Sequence, residues 1–346
     1  MKRTKERFGP AGYLAFIGVM FLSLILCVCV GSVNIPLADT FSVFRDAVFG
    51  TNTASDFARS IILAVRLPRV LCVALTGASL SVCGIAMQGL LKNPLADGST
   101  LGVSSGASLG AVVAIAFGLR IPGLASSGTV SLAILFAFLS LLTILALAYR
   151  LDYSLSTNTI ILIGVIFSMF VSSVISLIIT FASDKLKSIT FWTLGSLEGS
   201  SYSNALLLLV ALIVCGAVIW RYARELNAFA IGEDNARGIG VNVRRVKLLL
   251  LITVSILIGV CVSIGGTISF VGLVTPHIVR MITGPNHRKL IPAGLFSGAT
   301  FLMLCDLIAR TLLRPLELPI GVVTSIIGAV LFVVILYRSR NGTRSV

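Results

Sequence analysis

Long apolar runs separated by short polar intervals occupy the chain from Tyr13 to Tyr337. They cover about Tyr13 to Val33, Val70 to Leu91, Leu101 to Leu119, Leu124 to Tyr149, Thr159 to Ala182, Ala205 to Trp220, Val246 to Ile264, Ile268 to Ile282, Ile291 to Leu313 and Leu318 to Tyr337. A helix needs about 20 apolar residues to cross the hydrocarbon core of a bilayer, and it satisfies its own backbone groups where water is missing. The pattern predicts an all-α polytopic membrane protein of about ten transmembrane helices, with residues 1–346 forming one membrane domain. Ile268 to Ile282 is the weakest run. It is short, contains Pro276 and carries His277 and Arg280, so a broken or partial span is expected there. The first run follows Lys2, Arg3, Lys5 and Arg7. It is about 21 residues long and lacks a small-x-small cleavage site, so it reads as a retained helix and not as a signal peptide.

Composition agrees with this pattern and excludes other classes. With 57% hydrophobic and 12% charged residues and a mean hydropathy of +1.04, a soluble enzyme, a secreted module and a disordered chain are ruled out. The seven cysteines all fall in apolar runs, where they act as small hydrophobes and not as a disulfide framework or metal cage.

A net charge of +14 would suggest nucleic acid in a soluble protein. Here it follows the gathering of Lys and Arg on the cytoplasmic side of a membrane, and no nucleic-acid partner is expected. Placing the N-terminus inside puts two-thirds of the 27 Lys and Arg residues inside. The tails 1–12 and 338–346 and the loop 225–247 are then cytoplasmic. Outside lie Arg45, Arg59, Arg66, Arg69, Arg120, Lys185, Lys187, Arg310 and Arg314.

Four groups of residues carry candidate chemistry. Gly102, Gly106 and Gly110 stand four apart, a spacing that lets another helix backbone approach closely or leaves a wide path. Arg66-Leu67-Pro68-Arg69 lies at the outer boundary and can present two guanidiniums to a carboxylate-bearing surface. Arg310 follows Asp306 by four residues and can pair with it along a helix. The segment from Glu225 to Lys247 reads as a short amphipathic helix over Asn227 to Ile231, a break at Gly232, a second helix from Glu233 to about Gly238, and a turn with Gly240. It suits a socket on a peripheral partner.

No G-x-x-x-x-G-K-[ST] string is present, so the chain has no P-loop of its own. The two histidines and the carboxylates show no metal-ligand spacing. A gradient-driven carrier would keep ionisable groups near the midplane, whereas Asp306 lies near a membrane face; that alternative and a structural or receptor-like membrane protein are disfavoured.

Several strings together resemble the FecCD-type permeases of bacterial ABC importers. They are Arg66-Leu-Pro-Arg69, Gly84-x3-Gln88-Gly-Leu-Leu-Lys-Asn93-Pro94-Leu-Ala96, Leu101-Gly-Val-Ser-Ser-Gly106-Ala and Phe191-Trp192-x2-Gly195-Ser. In the second half follow Ala236-x-Gly238-x-Gly240-Val-Asn-Val, Phe270-Val-Gly-Leu-Val-Thr-Pro276-His277-x2-Arg280, Gly284-Pro-Asn-His287-Arg and Asp306-x2-Ala-Arg310-x6-Glu317-Leu-Pro-x-Gly321. Gly98 and Thr275 are the departures from the usual family pattern.

The resemblance implies a type II importer permease in the bacterial cytoplasmic membrane. It would pair with an identical or sister permease above an ABC ATPase dimer and receive cargo from an extracytoplasmic substrate-binding protein. The cargo implied first is an iron(III)-siderophore, with haem or cobalamin as alternatives. ATP would be bound by the partner subunit, leaving this chain with no cofactor, no metal and no catalytic residues, and in contact with membrane lipid.

The same resemblance assigns Arg66, Arg69 and Arg310 to binding-protein docking. It assigns Asn227, Ile231, Gly232, Glu233, Ala236, Arg237, Gly238 and Gly240 to the ATPase coupling loop. Gln88, Asn93, Pro94, Gly102, Gly106, Thr157 and Asn158 are expected along the translocation path or at its gate.

Overall fold

The computed structural model describes residues 8–119, 127–153 and 156–343. The basic residues Lys2, Arg3, Lys5 and Arg7, together with Arg120 and Leu124, lie outside the described residues. Every apolar run corresponds to a helix: α1 (Pro10–Cys29), α4 (Leu67–Leu91), α5 (Val103–Ala116), α6 (Ser127–Leu151), α7 (Thr157–Phe181), α9 (Tyr202–Arg221), α12 (Val243–Gly265), α13 (Val271–Thr283), α14 (His287–Thr311) and α15 (Ile320–Thr343). Between them lie α2 (Leu37–Phe49), α3 (Asp56–Arg59), α8 (Leu186–Thr193), α10 (Ala223–Ile231) and α11 (Glu233–Gly238). Among the described residues there is no strand.

Seven helices are long and apolar enough to cross a bilayer, while α5, α13 and the apolar part of α15 are shorter. At ~1.5 Å per residue, α5 and α13 reach about 20 Å, less than the ~30 Å hydrocarbon thickness. The run from Leu101 to Leu119 is therefore no full-length span. Its beginning is a 3-10 turn over Gly98–Leu101.

The doubtful run from Ile268 is a short helix that is not broken, with Pro276 inside it. α15 continues into the segment expected as the C-terminal tail, to Thr343. On the outer side α4 extends back through a π-helical stretch, Ser60–Arg66, to α3 as one 36-residue helix.

Polar residues set the helix starts. Ser156, Ser201, Asn242 and Asn286 accept hydrogen bonds from backbone N–H groups in the first turns of α7, α9, α12 and α14, satisfying donors that a helix N-terminus leaves free.

Burial separates two classes of helix. In the most apolar stretch of α4, 83% of residues are buried, and in α12 72%, against 17% in α1 and 22% in α7. A core of α4 and α12 is thus ringed by helices with outward apolar faces for lipid or a neighbouring subunit. Close backbone approach lets α4 occupy the centre. A side chain at Gly84 would collide with the Gly272 carbonyl of α13, and one at Gly77 with the Gly298 carbonyl of α14. This small-to-small contact is how helices pack tightly without a hydrophobic driving force.

Outside the spans, Asp46 at the end of α2 holds the α2–α3 connection. Its carboxylate accepts the Thr51 hydroxyl at 2.6 Å, the Thr53 hydroxyl and N–H at 2.7 Å each, and the Ala54 N–H at 2.8 Å. The Thr51 bond first, with the other donors, keeps its pKa well below the usual carboxylate range.

Candidate functional site

At the outer end, α1, α4 and α14 bring the three predicted arginines together, but not as free surface charges. Arg69 donates to Asp306 from Nε at 3.1 Å and Nη2 at 2.9 Å, and its Nη1 reaches Glu317 at 2.6 Å. Arg310 forms an ion pair with the other Asp306 oxygen at 2.8 Å and donates to the Cys27 carbonyl at 3.1 Å. Arg66 donates to the Val28 and Cys29 carbonyls at 2.9 Å each and to the Val33 carbonyl.

All three arginines are buried. The expectation that they present guanidiniums outward is corrected on this point. The end of α1 has orphan carbonyls and no basic residue in its last turn, so Arg66 and Arg310 turn inward to cap it. A buried guanidinium also requires a counter-charge, which Asp306 supplies to Arg69 and Arg310. The pairing of Arg310 with Asp306 predicted from sequence is present. Arg69 and Glu317 join it from elements far apart in sequence.

At membrane depth, α5, α7 and α12 enclose a cavity of about 390 Å³ with the α4–α5 and α12–α13 connections. Ser104, Ser105, Ser108, Ser168, Ser172 and Ser269 line it, with Thr193, Thr267 and Asp97 among aliphatic residues. Among the described residues, its lining includes no aromatic or cationic side chain.

None of the seven residues expected along the path lines this cavity. Gly106 packs on Ser140 of α6, where an added Cβ would collide, and Gly102 faces the Gly164 carbonyl of α7. The glycine spacing therefore serves helix packing, while the serines between those glycines face the cavity. Asn93 closes a local turn by accepting the Leu95 N–H at 2.9 Å, and Pro94 is exposed beside it. Thr157 and Asn158 form the first turn of α7, away from the cavity lining.

Gln88 is buried for a different reason. Pro276 lacks the N–H that would bond the Gly272 carbonyl one turn earlier. Gln88 Nε2 donates to that carbonyl at 3.3 Å and to the Leu273 carbonyl at 3.4 Å, while Gln88 Oε1 accepts Arg280 Nη2 at 3.2 Å. The proline thus stays inside a continuous helix because α4 satisfies the freed carbonyl. Thr275, the departure from the family pattern, donates to Ser81 of α4 at 2.9 Å and ties the same two helices.

Between Glu225 and Lys247, the predicted helix–break–helix is present. The first helix begins earlier than expected, at Ala223, and Gly232 at φ 151° separates it from α11. Asn227 Oδ1 accepts the His287 N–H at 2.9 Å and lies 2.7 Å from His287 Nδ1, and Asn227 Nδ2 donates to Asn286 at 3.1 Å. Lys247, fully buried, pairs with Glu233 at 2.7 Å. Ala236 is the buried residue of α11. Arg237 pairs with Asp234 at the surface at 3.0 Å, and Gly238 and Gly240 are exposed. Ile231 and Ile239 project apolar side chains that are 76% and 72% exposed. The loop is anchored at its base and apolar at its tip, the form a peripheral protein can grip.

The cavity residues Ser168 and Ser172, Thr193, Thr267 and Ser269 were not singled out by sequence reasoning, and Glu317, named there only as part of a family string, was not expected to pair with Arg69. Serines four apart in the otherwise apolar α7 were the signal available for the first two.

The FecCD transport family model matches residues 19–338. The chain is 43% identical over 347 residues to the Bacillus subtilis (strain 168) protein named uncharacterized ABC transporter permease protein YvrB, covering 99% of this chain and 98% of that one. It is 37% identical over 284 residues to the cobalamin import system permease protein BtuC of Halobacterium salinarum, covering 82% of this chain and 75% of the relative. A solved ABC transporter of metal-chelate type, in an inward-facing conformation, superposes with a TM-score of 0.84 at 30% identity over 95% of this chain and 100% of its own. With its ten apolar helices in the predicted order, this chain belongs to the FecCD family of ABC importer permeases.

Proposed function

We propose that the chain moves an iron(III)-siderophore chelate across the bacterial cytoplasmic membrane, working beside a second permease above an ABC ATPase dimer. The hydroxyl-lined cavity carries this reading. Its six serines and two threonines offer a large hydrophilic chelate many weak contacts, where a bare oxyanion would call for cations and a bare metal ion for several carboxylates. ATP binding would draw the ATPases together and move α10 and α11 with them. The permeases would then rock between outward- and inward-open states, each ligand biasing the state it fits better. The chain supplies no chemistry of its own.

The cobalamin assignment of the Halobacterium relative favours a second reading, cobalamin as cargo; haem is the remaining alternative. Deletion of the gene followed by uptake of radio-iron siderophore, labelled cobalamin and haem separates them. Loss of siderophore uptake alone is expected, and loss of cobalamin or haem uptake alone would overturn the siderophore assignment.

Docking of an extracytoplasmic binding protein on Arg66, Arg69 and Arg310 belongs to the same proposal. Because these arginines are engaged internally, an incoming carboxylate must replace an internal one, and Glu317, whose side chain is 23% exposed, is the replaceable partner. Glu317→Gln frees one side of Arg69 without adding a buried charge, so tighter binding of the binding protein is expected. Unchanged or weaker binding would contradict docking on Arg69.

A further inference from the structure

We infer that the cleft between α1, α4, α9 and α14 is a binding site for an anionic glycerophospholipid of the cytoplasmic leaflet, with an acyl chain in the cleft and the headgroup at its inner end. The cleft has a volume of about 760 Å³ and is lined almost entirely by apolar side chains. Met20 and Leu24 of α1 and Leu295 of α14 form one wall, and α9 forms the other. Small residues such as Ala74 and Ala78 of α4 give it a floor. From Ala205 to Trp220 the α9 wall runs about 22 Å at ~1.5 Å per residue. That is most of the ~30 Å hydrocarbon depth, the dimension of an extended acyl chain and not of a compact cargo.

Charge at one end selects the headgroup. Trp220 and Ile291 mark the inner end of the cleft, and Trp side chains favour the headgroup level of a bilayer. Arg221 follows Trp220 directly, Arg224 is one turn further, and Arg288 lies one turn before Ile291. All three are exposed, with Glu225 the acid beside them. Clustered cations on the cytoplasmic face attract anionic lipid. The outer end of the cleft, near Leu71 and Leu206, has Arg66 and Arg69 beside it, but both are buried and engaged, Arg66 by the Val28 and Cys29 carbonyls and Arg69 by Asp306 and Glu317, so the exposed basic cluster that can hold a headgroup lies at the inner end.

Trp220 provides a probe that leaves the fold intact. The full-length permease is reconstituted in nanodiscs doped with phosphatidylglycerol or phosphatidylcholine carrying brominated acyl chains, and the quenching lost in Trp220→Phe gives the Trp220 share. The apparent affinity read from the quenching titration should be higher for brominated phosphatidylglycerol, by roughly fivefold for each basic residue that contributes. The preference should collapse in the Arg221→Gln, Arg224→Gln, Arg288→Gln variant. Equal quenching by the two lipids would overturn the headgroup assignment. Native mass spectrometry of the purified protein tests the cleft itself: Ala217→Trp should lose co-purifying phosphatidylglycerol, and Ile213→Trp serves if Ala217→Trp does not fold. Retention of the same lipid by a folded, filled-cleft variant would overturn the site.

Discussion

Gln88 Nε2 hydrogen-bonds the carbonyl of Gly272 at 3.3 Å, the carbonyl that Pro276 leaves without its helical donor. A side chain of α4 thereby completes the backbone of α13. Gln88→Leu should destabilise the protein by about 1 to 3 kcal/mol, because the Gly272 carbonyl and Arg280 lose a buried partner. Pro276→Ala restores an N–H to α13 and should recover part of that loss. A double-mutant cycle read by thermal melting in detergent checks this, and strict additivity of the two changes would contradict the relationship.

Asp306 lies between two buried guanidiniums, Arg69 and Arg310, whereas Glu317 meets one of them near the surface. Removing one member of a buried ion pair leaves an uncompensated charge and costs about 3 to 5 kcal/mol. The Arg69–Glu317 pair is only partly buried, and losing Glu317 still leaves Arg69 its Asp306 partner, so removing Glu317 costs less than removing Asp306. Asp306→Asn should therefore unfold at a clearly lower temperature than Glu317→Gln. Equal melting shifts for the two variants would rule out the buried cluster as the stabilising element.

Asn227 joins the cytoplasmic helix α10 to the start of α14 through His287 and Asn286. Asn227→Leu keeps a good helix former but leaves the His287 N–H without this acceptor, at a cost of about 1 to 3 kcal/mol. A loosened joint should transmit less of the ATPase movement. Transport per ATP hydrolysed is expected to fall while ATPase retention in a pull-down persists, and unaltered coupling in a destabilised variant would show that the joint is structural only.

Asp46 has a pKa held below its usual range by the Thr51 hydroxyl and the donors that follow. A carboxylate depressed in the folded state adds stability that is present above its unfolded pKa of about 3.9 and is lost as pH falls through the folded value. The outer loop should keep this support throughout neutral pH and lose it only in strong acid. Asp46→Asn should remove that acid dependence, as followed by pepsin cleavage of the loop between about pH 5 and pH 1.5. An identical acid response in the variant would contradict the assignment.

Much of the fold was legible in the chain because apolar length is a local property. Each of the ten runs is a helix, and the break at Gly232 separates two helices as its sequence indicated. The shortness of α13 was legible, but its continuity was not, because Pro276 signals a break unless a distant side chain supplies the missing hydrogen bond. The cavity lining was only partly legible for a related reason. Glycines four apart mark close packing or open space equally well, and only the position of Ser140 against Gly106 shows which applies. The serines beside them looked like ordinary small residues until Ser168 and Ser172 came to face them from α7.

By itself the sequence determined the helices, their number and the family, since hydrophobic length and ordered motifs are written along one dimension. Tertiary structure alone decided which charges are free. Arg66, Arg69 and Arg310 look alike as basic residues at an outer boundary, yet the end of α1 and the carboxylate of Asp306 draw all three inward. A buried cation takes whatever acceptor the fold brings near, and the acceptors for Arg69 lie more than 230 residues away along the chain.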